Sequence, residues 1–287
     1  PTLTWSSTNA TSCAASGAWT GTKATSGTQV VTPVGTSTYK LTCTGSGGTA
    51  TQSTTVRVVA LIKHVQSAAV TNSKSGSSLS KAFASANTAR NLIVAAVTFN
   101  TSQGTTWSCS DTLGNTYVQA SFVNDTRYSQ GFGICYAANS KAGSKANTVK
   151  VTYGGKAPTK RALAIHEYAG AAASSPLDRT STNVATSAAA TSNAVTPTGI
   201  GELIFGTVGV DNGTTPTMTS GAGFTRRQSV TGLTTQDLVQ TTAASIASTF
   251  TFSASQPYGA QVATFKPAAA PPSTGCPSGL TCIDLPP

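Results

Sequence analysis

The chain offers few groups able to make or break bonds. Its acids are Asp111, Asp125, Glu167, Asp178, Glu202, Asp211, Asp237 and Asp284, and its two histidines are His64 and His166. Acid–base and nucleophilic catalysis need such groups to converge on one point, and no pair falls in a spacing that marks a glycosidase. The sequence contains no GxSxG elbow, HExxH helix, P-loop or DxDxDG calcium loop. His166-Glu167 is the one suggestive pair. Neighbouring residues on a strand point to opposite faces, so the two are poorly placed to act as a dyad. Glu167 is expected to accept backbone hydrogen bonds at a strand end. His64 is expected to be a surface residue in the connection between two modules. The expectation is a non-enzymatic protein that needs no cofactor and no metal.

What remains is the chemistry of cross-links and surfaces. Six cysteines in this order suggest the local pairs Cys13–Cys43, Cys109–Cys135 and Cys276–Cys282, one of about 15 connectivities. Oxidised pairs imply export and an extracellular or cell-surface location. Closing each of the first two loops stabilises its module by about 3–4 kcal/mol in the chain-entropy model. The alternative is six buried free thiols.

The net charge is +10, and the first sixty residues contain no acid. A denser basic stretch runs through Lys141, Lys145, Lys150, Lys156, Lys160 and Arg161, with no acid after it until Glu167. Such a stripe would suit an anionic polysaccharide, lipid headgroups or extracellular DNA. The favoured reading is plainer: lysines guard edge strands against aggregation, and no specific nucleic-acid partner is expected. Sugars stack on exposed aromatic rings. Tyr128, in the polar loop NDTRYSQG, is the candidate ligand contact, whereas Trp107 beside a cysteine reads as core.

These groups must be positioned by strands. Hydrophobic residues make up 38% of the chain and charged residues 9%, against about 25% charged in an average domain. Ser and Thr fill the deficit, and Thr favours strands while Ser, Gly and Asn favour turns. An all-β fold follows. No apolar stretch nears the roughly 20 residues needed for a membrane-spanning helix, so no membrane span is expected.

Residues 1–60 read as short strands at Thr2–Ser6, Gln29–Thr32, Thr38–Thr42 and Thr51–Val59, with Trp5 and Trp19 to cover a disulfide. So small a core makes a bridge between its sheets the physical expectation. The runs PTLTWSSTNATSC, GAWTGTKATSG, STYKLTCTGSGG and TATQSTTVRV resemble a bacterial immunoglobulin-like repeat of secreted and surface proteins. The resemblance covers nearly all of this module. It implies an immunoglobulin-type sandwich pinned by Cys13–Cys43 and a role as spacer or stalk. Tyr39 lies four residues before Cys43, not two, so the corner role of an antibody-domain tyrosine is not carried over.

Residues 61–266 show a succession of short strands without helical patterns, which predicts a larger two-sheet, jelly-roll-like sandwich. Gly114-Asn115 reads as a tight hairpin turn between Thr105–Ser110 and Thr116–Phe122, with Asp111 bonding the nearby backbone. The stretch DTLGNTY, with HEYAG and SSPLD, resembles a jelly-roll or lectin-like domain of secreted bacterial proteins, which implies no activity. Residues 267–287 form an extended tail: PAAAPPSTG is linker-like, then Cys276 and Cys282 enclose a short loop, with Ile283 and Leu285 as apolar anchors.

A structural or adhesive subunit of a surface filament or layer fits these features best. It would assemble through sheet edges and terminal segments, with Thr2 and Leu3 at one end and Ile283 and Leu285 at the other. A carbohydrate-binding module and a virion or phage fibre component are the alternatives. The expected partners are further copies, neighbouring surface proteins, or an anionic polymer.

Overall fold

The computed structural model describes residues 1–56, 58–59, 61–100, 105–210 and 217–269. All the regular elements in these residues are strands, as Thr-rich, helix-poor composition requires. They form two compact units, Pro1–Ala60 with Ala269, and Leu61–Ala268.

The first unit contains β1 (Thr2–Ser6), β2 (Ala10–Gly17), β3 (Gly21–Lys23), β4 (Ser26–Val30), β5 (Ser37–Gly45) and β6 (Gly48–Val56). Strands β1 and β4 pair with each other, and a four-stranded sheet runs β3-β2-β5-β6. Leu3, Trp19, Val31 and Tyr39 form a small core, with Trp5 and Leu41 packed against it. Trp19 meets Trp5 and Tyr39 edge-on at 5.4 and 6.0 Å. Cys13 is bonded to Cys43. The two are direct register partners on β2 and β5, with Cα atoms 4.0 Å apart. The expected bridge between sheets is therefore a bridge within one sheet, and the small core, with the Lys23 to Gln29 hydrogen bond, joins the two layers.

The second unit contains β7 (Lys63–Asn72), β8 (Ser78–Ala86), β9 (Leu92–Asn100), β10 (Thr106–Asp111), β11 (Val118–Asp125), β12 (Gln130–Ala137) and β13 (Ala146–Gly154). It continues with β14 (Arg161–Ala169), β15 (Leu177–Thr191), β16 (Glu202–Val210), β17 (Met218–Ser220), β18 (Thr225–Val230), β19 (Leu233–Gln240) and β20 (Thr249–Phe265). The sandwich architecture holds, with three sheets where two were expected. Their orders are β10-β13-β8, β11-β12-β9-β14-β7 and β15-β20-β16-β19-β18, with β17 also on β20.

The five-stranded sheet is the middle layer. Alternating residues of β9 go to opposite cores. Ile93, Ala95, Val97 and Phe99 meet Trp107, Val149, Val151 and Tyr153 of the three-stranded sheet. Val94 and Ala96 join Leu203, Phe205, Ala263 and Phe265 of the six-stranded sheet. A strand apolar along its whole length is what two-faced burial demands.

Large-into-small packing sets the spacing of the layers. Phe132 of β12 lies over Gly209 and Gly259, which are paired on β16 and β20; a Cβ on either would come within 2.2 Å of its ring. The next residue, Gly133, faces the other way and receives Trp107 of β10, whose ring would lie 2.3 Å from an added Cβ.

Strands β10 and β11 belong to different sheets. Gly114-Asn115 is therefore a corner between layers, and the hairpin expected there is corrected. Gly114 takes φ +67°, and Asp111 holds the corner. Its carboxylate accepts from the backbone of Leu113 and Asn115 and from the side chains of Asn115, Tyr117 and Asn147, at 2.7–3.1 Å. Burial alone would raise this carboxyl, but the hydrogen bonds outweigh it and hold the pKa below its usual value. Cys109 on β10 is bonded to Cys135 on β12, so this second bridge does cross between sheets.

Gly259→Ala should lower the unfolding free energy by about 1–3 kcal/mol through overpacking against Phe132. Adding Phe132→Leu should recover part of that loss, a coupling read from urea denaturation of the two single variants and the double variant.

Candidate functional site

The residues singled out for contact fall in different places. Thr2 is exposed, whereas Leu3 is only 8% exposed and its side chain belongs to the first unit's core, so its backbone is the part left to make a contact. Cys276, Cys282, Ile283 and Leu285 lie outside the described residues. Tyr128 is exposed in the turn between β11 and β12, with the Arg127 guanidinium 5.6 Å from its ring centre. Trp107 is buried.

The six residues of the basic stretch do not all reach the surface. Lys141 and Lys145 lie in the loop before β13, Lys150 on its outward side, and Lys156 and Lys160 in the following turn. The Lys141 ammonium donates to the Gly114 carbonyl at 2.9 Å, bracing the corner. Arg161 is corrected outright: it is 3% exposed and donates to the carbonyls of Ser78 and Lys74. Carbonyl dipoles replace water around a buried cation, so Arg161 is a structural post and not a docking charge.

Two concave features remain. The first is a groove of about 730 Å³ in the first unit. Thr2, Leu3, Thr4, Trp5 and Ser6, consecutive residues of β1, line one wall. A wall made of consecutive residues is a strand edge, because side chains alone would contribute every second one. Among the described residues β1 pairs with β4 alone, so its other edge is open. The opposite wall includes Tyr39, Leu41 and Cys43 of β5 and their register partners Thr54, Gln52 and Ala50 of β6. Direct partners share a face, so Ala50, Gln52 and Thr54 lie on the inward side of the sheet. All three are nevertheless exposed. The four-stranded sheet thus extends beyond the two-stranded one, leaving room beside β1.

The second feature is a cleft of about 300 Å³ in the second unit, lined by Lys63, His64, Tyr168, Arg227 and Asp237 together with Ile62, Leu203, Leu238 and Val239. It lies where β7 and β18, the edge strands of two sheets, come together. Two β-bulges build it. In the β7–β14 ladder Glu167 pairs with Gln66 but Tyr168 pairs with His64, leaving Val65 as the extra residue. That slip turns His64 onto the face of Tyr168 and His166. In the β18–β19 ladder the extra residue is Arg227 itself, between Arg226 and Gln228. Bulges at sheet edges commonly re-aim a side chain in this way.

The polar groups interlock. The Tyr168 hydroxyl and the Arg227 Nε both donate to Asp237 Oδ2, each at 2.7 Å. His64 is a half-buried neighbour of Tyr168, with ring centres 5.4 Å apart, and is not the surface residue expected. Its Nε2 is buried without a partner among the described residues. Burial, then the Arg227 charge, lowers its pKa, while Asp237 opposes the shift. His166 stands behind it, 6.2 Å from His64 and 5.0 Å from Phe205, wholly buried with both ring nitrogens unpartnered. The two histidines, 102 positions apart, become neighbours through the β7–β14 ladder, which sequence spacing does not reveal.

Glu167 faces the other way, as alternation requires. Its carboxylate accepts from Gln66, Asn87 and Asn91 side chains and from the Thr88 backbone, at 2.6–2.8 Å. Side-chain amides thus supply most of the partners where backbone groups were expected. With its hydrogen-bonding capacity filled by protein donors, Glu167 is structural. Among the described residues no group of three or more His, Cys, Asp or Glu side chains is arranged to hold a metal ion. No family model, no curated protein and no solved structure matches this chain.

The histidines couple stability to pH. Burial first, then the charges of His64 and Arg227, hold His166 well below its ordinary pKa of 6.5. In the unfolded chain it titrates near 6.5, so below that pH the unfolded state binds more protons. Its stabilising share is complete above pH 6.5 and declines as the solution is acidified, by up to about 1.4 kcal/mol per pH unit. Urea unfolding at pH 7.5 and pH 5.5 should show the decline. His166→Phe should reduce it, because the ring is kept and its titration removed, and leave the share contributed by His64.

Proposed function

We propose that this chain is a structural subunit of an extracellular surface assembly, joined by strand addition at the groove of its first unit. The observation that carries this reading is the open β1 edge facing the uncovered inner residues Ala50, Gln52 and Thr54 of β6. An added strand would gain main-chain hydrogen bonds along β1 and cover those residues in the same step. The two disulfides are compatible with an oxidising compartment. Among the described residues no helix is long and apolar enough to cross a membrane.

The occupant is the C-terminal segment of a second copy. Three features support that choice. Ala269 bridges Val59, just past the end of β6, so the chain leaves the described residues beside the sheet that needs covering. The 18 residues that follow exceed the span of the five-residue strand β1 several times over. Their one charge is Asp284, while residues 1–60 carry Lys23, Lys40 and Arg57 and no acid. Ile283 and Leu285 alternate as a half-buried strand requires. Head-to-tail contact of this kind need not close on itself, and it then extends into a fibre.

Sedimentation velocity over a range of concentrations tests this. The full chain should self-associate, a chain ending at Ala269 should remain monomeric, and Ala50→Arg should block association without disturbing the fold, since Ala50 is exposed. A full chain that stays monomeric, while its truncated form alone binds an added 277–287 peptide, would put the segment in its own groove and overturn assembly.

A further inference from the structure

We infer that the cleft between β7 and β18 is a binding site for a carboxylate group, with Arg227 as its fork and His64 as a second donor. This site is independent of the groove and of the assembly reading.

The case begins with the state of Arg227. Its Nε is fixed on Asp237, and Asp237 is in turn held by Tyr168. Among the described residues the two terminal nitrogens of Arg227 have no partner, and its side chain is 28% exposed at the cleft. A guanidinium anchored through Nε presents its remaining N–H groups as a pair, the geometry that receives both oxygens of a carboxylate. Arg127 makes a useful contrast. Its Nε and a terminal nitrogen are both spent on Asp125, its neighbour in a turn, so it has no comparable fork to offer.

The surroundings fit an anion of modest size. Lys63 and Arg227 against Asp237 leave the lining one positive charge in excess, and His64 adds a second when protonated. The unpartnered His64 Nε2 supplies the unmet hydrogen-bonding group that a buried polar atom calls for. Ile62, Leu203, Leu238 and Val239 give the apolar walls usual in a small-ligand pocket. The volume, about 300 Å³, suits one small organic acid or one uronic-acid unit of a polysaccharide. Both present the same planar carboxylate. No bond-making step is implied, because Asp237 already accepts two strong hydrogen bonds on one oxygen and Tyr168 is fully buried behind it.

The groups facing His64 are Arg227 and Asp237 across the cleft, Tyr168 and His166 on β14, and Lys63 beside it. The first of these depresses its protonation, and a bound anion offsets that charge. Ligand and proton therefore bind cooperatively at this site.

The test is calorimetric titration of the full chain with glucuronate, oligoglucuronate, acetate, glucose and inorganic phosphate, with the His64 ring followed by NMR. Glucuronate should bind saturably and glucose should not. Arg227→Lys, which keeps the charge but not the fork, should weaken binding about tenfold or more. The His64 titration midpoint should rise when the site is filled. Tighter binding of the oligomer than of acetate assigns the site to a polysaccharide, and equal binding assigns it to a small acid; either result upholds the inference. Equal affinity for glucose and glucuronate, phosphate binding as tightly as the carboxylates, or unchanged affinity in Arg227→Lys would each overturn it. None of these outcomes depends on whether the chain self-associates.

Discussion

The second unit depends on the middle sheet being buried on both faces, and two neighbouring residues show how that is achieved. Phe132 seats on the glycine pair Gly209 and Gly259, and Gly133 makes way for Trp107 from the other side. Alternation along one strand thus inserts a ring in one direction and accepts a ring from the other. Protein interiors pack at crystal-like density, so these two contacts fix the distance between three sheets. Cys109–Cys135 ties the same strand to the outer layer close by, two residues from Gly133 on β12 and two from Trp107 on β10. The edge strands β7 and β18 inherit that spacing, with the Gln228 to Ser67 hydrogen bond of 2.8 Å across them.

A chain so poor in charge settles several of its buried ions without a counter-ion. Glu167 is held by three amide side chains and one backbone N–H, Asp111 by amides, a phenol and backbone groups, and Arg161 by carbonyls. Neutral dipoles that are already in place solvate these groups without bringing a second ion into the interior, where desolvation is costly. Asp237, like Asp125 and Asp178, has a cation beside it, and here a phenol shares the same oxygen with that cation. At Asp237 that sharing coincides with a cleft, two bulges and an unpartnered imidazole, which sets the site apart from the structural ion clusters.

Much of the fold was legible in the sequence because it follows from composition and alternation. The Thr-rich, helix-poor content announces strands, and the run Thr2–Ser6 reads as one, which is the extent of β1. The opposite facing of His166 and Glu167 followed from the two-residue period alone. Partner choice was not legible. Asp111 and Gly114-Asn115 form the turn chemistry of a hairpin, yet the strands on either side join different sheets, because local turn geometry does not specify which ladder a strand enters. The third sheet was missed for the same reason. Arg161 was grouped with lysines by its position in the chain, whereas its neighbours in space are carbonyls.

The cleft was the least visible feature, and the cause is specific. His64 and Arg227 are each placed by a one-residue slip that simple alternation does not foresee. Without the extra Val65, Tyr168 would pair with Val65, and His64 would turn away from the core it now joins. Without the irregularity at Arg227, the β18 ladder would carry the guanidinium in regular register with β19. A one-residue slip reverses the facing of every later side chain on a strand, so a bulge changes a surface more than most substitutions do. The groove arises in the opposite way, from regular alternation continued past the point where the facing sheet ends. In this protein regular strands leave an edge open to another strand, and interrupted ones bring His64 and Arg227 to one cleft.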